Sequence, residues 1–260
     1  MAPVPRDGSD TFKVLLTGFG PFSHYTSNPS WLAAAKLHDE FIDVPKSPGY
    51  REAKRIHVTA IEVPVTYDAI LSLVPGFHQS PPVIPEDIRV SIPIPEKGYD
   101  FIMHTGVGRP GGLRVETRAH KAGYQKPDAE GKLAPPAKSD GADDGSGVVR
   151  GFPDTGIYQE TLDLVINDSV DVNLLVKHLI SSENGPVAPS TDAGKFLCEY
   201  IYYCSLVHSE YECRQKASSA AKTPVLFMHV PDIDKPQSVA DMANAMRQVI
   251  YWCCQNSVKT

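Results

Sequence analysis

The segment "FKVLLTG" (12 to 18) is a short, almost unbroken apolar run, and "NPSWLAAAKLHDEF" follows it, with Asn28 placed to cap a helix and Pro29 suited to its first turn. The pattern predicts a strand, a loop and a helix. The same order returns in "RIHVTAIEV" (55 to 63) and "TYDAILSLV" (66 to 74). It returns again in "YDFIMHTG" (99 to 106) and a helix near "DVNLLVKHLISS" (171 to 182). An amphipathic segment around Cys198, the strand "PVLFMHV" (224 to 230) and a helix from about Ser238 to Cys254 close the chain. Such alternation predicts an α/β fold whose largely parallel sheet is covered by helices on both faces. In sheets of that kind, sites gather at the carboxyl ends of the strands.

Two segments interrupt the rhythm. Residues 75 to 98 carry six prolines, and 126 to 156 are rich in Gly, Pro and Asp. Both read as surface insertions rather than linkers, and no internal repeat is visible, so residues 1 to 260 are expected to form a single domain. The formal net charge is -6 and no run of Lys and Arg occurs, which leaves no electrostatic footprint for nucleic acid or an anionic membrane. No stretch approaches 18 apolar residues and the N-terminus lacks a signal-peptide core, so a soluble, cytoplasmic protein is expected. Five cysteines without paired spacing fit free thiols in a reducing compartment.

Most chemical motifs fail on inspection. "GVGRPG" (106 to 111) matches GxGxxG after a strand, but Pro110, Gly111 and Gly112 disfavour the helix that would receive a pyrophosphate. "DDGSG" around Ser146 has Asp where a nucleophile elbow needs its first Gly, and no strand leads into it. The histidines and cysteines never fall into zinc spacing, so neither a metal nor a cofactor is expected.

A thiol nucleophile is the remaining chemistry. Thr191 or Asp192 is placed to cap a helix whose first turns contain Cys198, where the positive dipole end favours a thiolate. His229 ends an apolar strand just before Val230 and Pro231, in the position of an imidazole base. His104 also ends an apolar strand, and nine histidines with five cysteines leave many pairings open. Cys204 is no substitute for Cys198, since six residues at about 100° each turn it to another face.

The blocks "LLTGFGPFSHYTSNPSW", "HTGVGRPGGLRVETRAHKAGY", "DAGKFLCEYIYY" and "FMHVP" occur in the order of those of the pyroglutamyl peptidase I (pyrrolidone carboxyl peptidase) family, which the chain resembles. The resemblance implies a three-layer α/β/α sandwich and a catalytic Glu, Cys, His set in that chain order. Matched residue by residue, Glu116 in "VETRAHKAGY" falls at the acid, Cys198 in "FLCEY" at the nucleophile and His229 in "MHVP" at the general base. Phe19 and Phe22 match the family's pocket aromatics, Phe196 and Leu197 the apolar residues before the nucleophile, Asn28 an asparagine near the site, and Val107 the backbone that contacts the lactam. Lys195 brings a cation close to the nucleophile, either to act on the thiol or to point to solvent. The implied activity is a cysteine omega-peptidase that hydrolyses the bond after an N-terminal pyroglutamyl (5-oxoproline) residue of a peptide. The alternative is an impaired homologue that binds such N-termini without turnover.

Overall fold

The computed structural model describes residues 11–44, 55–137, 148–216, 221–233 and 235–256. The Ser146 motif and the middle of the 126 to 156 segment lie outside the described residues.

The apolar runs form the expected strands: β1 (Thr11–Phe19), β3 (Arg55–Val63), β4 (Phe101–Val107) and β9 (Val225–Val230), all mutually parallel in the order β3-β1-β4-β9. Short strands extend both edges. β2 (Glu40–Asp43) runs antiparallel to β3, while β5 (Leu113–Glu116) runs antiparallel to β9 and pairs in parallel with β8 (Val187–Ser190). β6 (Arg118–His120) and β7 (Leu164–Ile166) form a separate antiparallel pair.

Helices cover both faces, which is why the central strands are apolar at consecutive positions rather than alternate ones. Phe12, Val14 and Leu16 of β1 face α1 (Pro29–Ala35), α3 (Val172–Ser181) and α5 (Val239–Asn256), and their core includes Ala33, Leu175 and Met246. Leu15 and Phe19 belong to the opposite core with α2 (Tyr67–Phe77) and α4 (Leu197–Gln215). Asn28 caps α1 as expected, its Oδ1 accepting from Ser30 N, and at the starts of α2 and α3 Thr66 Oγ1 accepts from Ala69 N and Asp171 Oδ1 from Leu174 N.

The segment expected as a surface insertion at 126 to 156 is not wholly on the surface. Ala134 and Phe152 are fully buried, and the Phe152 ring stacks on Tyr200 of α4 at 4.0 Å between centroids. Between α2 and β4 the proline-rich segment forms no helix or strand, and it buries Ile92. No helix among the described residues is long and apolar enough to cross a membrane.

Candidate active site

Side chains alternate across a strand, so one face of the sheet can be followed from strand to strand. On the face covered by α2 and α4 lie Phe19 at the end of β1, Gly106 near the end of β4 and His229 near the end of β9. Gly106 and His229 are register partners. Glu116 ends β5 beside them, where β5 pairs with β9 through Arg114 to His229 and Val115 to Met228.

Glu116 is fully buried, and its Oε1 accepts a hydrogen bond of 2.8 Å from His229 Nδ1. A carboxylate can only accept, so the Nδ1 proton is fixed there and Nε2 is left for Cys198. Burial pulls the His229 pKa down, yet the charge of a Cys198 thiolate, the hydrogen bond to that sulfur and the Glu116 carboxylate outweigh it and raise the pKa to about 9. The structure thus brings Glu116, His229 and Cys198 into one chain of contacts, with Cys198 the partly exposed member.

Cys198 reaches this place because α4 begins over the sheet. The helix starts at Leu197, with Phe196 as N-cap and Cys198 as its second residue. Neither Thr191 nor Asp192 caps it, contrary to expectation. Asp192 Oδ1 instead accepts from Gly194 N at 3.1 Å, and the chain then turns through Gly194 and Lys195, both with positive φ (96° and 46°), before the helix begins. Phe196 offers no side-chain acceptor, so no cap side chain engages the N–H groups of the first turn. The side chain of Lys195 is exposed and passes over Gly123.

The sulfur occupies the space that a side chain at Gly106 would take. A Cβ built there would lie 2.7 Å from Cys198 Sγ, 3.1 Å from Phe227 Cζ and 3.4 Å from Phe19 Cδ2. One built at Gly108 would strike the His229 side chain, 2.8 Å from its Cβ. Two residues of "GVGRPG" are therefore glycines for space around the thiol and the imidazole.

The apolar candidates gather on the same side. Phe22 and Phe196 are half-buried with ring centroids 5.5 Å apart, Tyr67 meets Phe196 edge-on at 6.4 Å, and Leu197 is buried beneath them. Val107 is half-buried at the end of β4, paired with Val230. Asn28 is engaged in local structure, its amide donating to Gly20 O at 3.0 Å while Oδ1 accepts from Ser30. It thereby ties the turn bearing Phe19 and Phe22 to α1.

His104 lies on the same face but deeper. Its Nδ1 is paired with Thr17 Oγ1 at 2.8 Å, and burial drives its pKa down to about 3. Cys204 is buried against Tyr158, and desolvation pushes its thiol up to about 12. Among the described residues no group of three or more His, Cys, Asp and Glu is arranged to hold a metal.

Sequence reasoning missed Tyr202, whose hydroxyl donates to Glu116 O at 3.0 Å, and Glu199, which is buried next to Cys198 in the chain. Tyr202 stands four residues after Cys198, a spacing that shares a helix face.

No family model matches the chain. Among curated proteins it is similar to the Pyroglutamyl-peptidase 1 of Mus musculus and of Homo sapiens, each 26% identical over 239 residues that cover 91% of this chain and 87% of the relative. It is also similar to the Pyrrolidone-carboxylate peptidase of Thermococcus onnurineus, 27% identical over 232 residues that cover 86% of this chain and 88% of that one. Among solved structures, pyroglutamyl peptidase I of Bacillus amyloliquefaciens superposes with a TM-score of 0.63 at 21% identity, covering 93% of this chain and 96% of that one. The pyrrolidone carboxyl peptidase of Thermus thermophilus gives 0.61 at 19% identity, covering 92% and 98%. The α/β fold is that of these structures.

Proposed function

We propose that this homologue of the pyroglutamyl peptidases is a cysteine omega-peptidase that hydrolyses the bond following an N-terminal pyroglutamyl residue of peptides, acting in the cytoplasm. The observation that carries the reading is the chain from Glu116 through His229 to Cys198, set at a helix start beside Phe22 and Phe196.

Cys198 is the nucleophile. Its thiolate attacks the carbonyl carbon joining 5-oxoproline to the next residue, and the carbonyl π electrons move onto oxygen. That oxyanion is received by the Cys198 backbone N–H, in the uncapped first turn of α4. His229 holds the proton at Nε2 and passes it to the departing amine nitrogen as the C–N bond breaks, leaving a thioester. The imidazole then takes a proton from water, whose oxygen attacks the thioester, and 5-oxoproline leaves as the C–S bond breaks. Glu116 fixes the Nδ1 proton and stabilises the imidazolium formed in each half-reaction.

The lactam ring is uncharged, so its pocket needs apolar walls and a few polar contacts. Phe19, Phe22, Phe196 and Leu197 supply the walls, the backbone at Val107 a contact to the lactam, and Asn28 the anchorage of the Phe19 to Phe22 turn. Turnover of a chromogenic pyroglutamyl amide tests the whole reading. Cys198→Ser is expected to lose roughly a thousandfold or more in kcat while still binding a pyroglutamyl peptide. Full activity in that variant would overturn the mechanism, and binding without turnover in the native enzyme would leave only a binding protein.

A further inference from the structure

Glu199 directly follows the nucleophile, yet it is 1% exposed. Its Oε1 accepts from His120 N at 3.0 Å and from His120 Nδ1 at 2.6 Å, and its Oε2 accepts from Lys195 N at 2.7 Å. A buried carboxylate with both oxygens engaged costs several kcal/mol in desolvation, and an apolar side chain at such a place is often no less stable. Stability alone therefore gives no reason for an acid here.

What the three contacts join does. The separation of Glu116 and His229 is fixed by the pairing of β5 with β9. Cys198 is on a helix and has no ladder to those strands. Its turn is entered through Lys195, a non-glycine residue at φ 46°, a conformation that persists only when its surroundings hold it. Glu199 grips the N–H of that same Lys195 with one oxygen. With the other it grips His120, at the end of the strand β6 that begins two residues after Glu116. One turn further along α4, Tyr202 adds the bond to Glu116 O.

We infer that Glu199 and His120 form a positioning pair that holds the Cys198 turn against the Glu116 and His229 segment, setting where the sulfur and the Cys198 N–H stand relative to the imidazole. The inference rests on the peptidase reading for its substrate but not for its geometry. Glu199→Gln places an amide N–H against one of three donors, so the clamp opens on one side. His120→Ala removes the Nδ1 donor, and His120→Asn returns an N–H close to the same point.

The test measures kcat and KM on a pyroglutamyl amide, the rate of Cys198 alkylation by iodoacetamide and the melting temperature, at a temperature where every variant is folded. Glu199→Gln and His120→Ala are each expected to lose roughly ten- to a hundredfold in kcat, the scale of a misplacement of about 1 Å. Alkylation should slow in parallel, His120→Asn should recover most of the loss, and the double variant should be no worse than the poorer single one. Native kcat and native alkylation rates in both single variants, with only the melting temperature lowered, would reduce the pair to a structural role and overturn the inference. If Glu199→Gln does not fold, the two His120 variants carry the same decision, since that side chain is 32% exposed. If the native protein cleaves no pyroglutamyl amide, the peptidase reading fails by itself, and the alkylation rates still decide on the pair.

Discussion

Gly106→Ala adds one methyl group at the point where the sheet makes room for Cys198 Sγ. The Cβ would stand 2.7 Å from Cys198 Sγ, whereas ordinary contacts between such atoms are about 3.5 to 4 Å, so the sulfur must retreat by roughly 1 Å. Phe227 and Phe19, at 3.1 and 3.4 Å, need to give by only a few tenths of an ångström. Cys198 is free to comply because a single rotation about χ1 carries its sulfur away, and that same rotation takes it from His229. The fold should survive at a cost of about 1 to 3 kcal/mol for overpacking. The chemistry should fall roughly a hundredfold in kcat, equivalent to about 2.7 kcal/mol in the barrier. Steady-state kinetics on a pyroglutamyl amide, calibrated by the fraction of folded enzyme from thermal unfolding, give both numbers. A variant with native kcat would show that Cys198 Sγ does not work from the place over Gly106, and the proposed geometry would be refuted.

The ordinary histidine value is about 6.5 and that of His229 is raised to about 9, so its contribution to stability is complete below about pH 6.5 and is lost as pH rises through about 9. The urea midpoint should fall as pH rises through about 9, and kcat/KM should fall on the same limb; rates still rising at pH 10 would contradict it. His229→Ala should cost about a thousandfold in kcat, whereas His104→Ala should unfold more easily, having orphaned Thr17 Oγ1, but keep native kcat in its folded fraction; the reverse ranking would exchange their roles. Prolyl amides should be at least about a hundredfold poorer in kcat/KM than pyroglutamyl amides, because the rings of Phe19, Phe22 and Phe196 carry no acceptor for an ammonium; equal rates would move the pocket elsewhere.

The parts legible in the sequence were those buried on both sides. β1, β3, β4 and β9 are continuous apolar runs, and the cap at Asn28 announces α1. β5, β6 and β8 were not legible, because three or four residues with Arg, Glu or Pro among them carry no periodicity, and β7, though apolar throughout, is only three residues long. The start of α4 was misread for a physical reason. Asp192 and Thr191 have the chemistry of caps, but the left-handed Lys195 postpones the helix until Leu197, and the acceptor that secures the turn is Glu199, which reaches back from inside the helix. Glu116 has no signal of its own in the residues around it. Only the resemblance picked it out, and its burial against His229 follows from an antiparallel pairing that no local pattern encodes.

That antiparallel pairing has a consequence for how the site can change. Neighbouring positions across a sheet are separated by a fixed ladder spacing, so the Glu116 and His229 pair admits only discrete adjustment. Slipping β5 by a single residue would turn Glu116 to the opposite face, among Leu113 and Val115, and remove it from the imidazole altogether. Phe22 and Phe196 are mounted on turns, which move continuously. On the proposed function, substrate preference can therefore drift by small steps in those turns while Glu116 and His229 stay in one unit, and random variation should yield altered specificity far more often than a relocated proton relay.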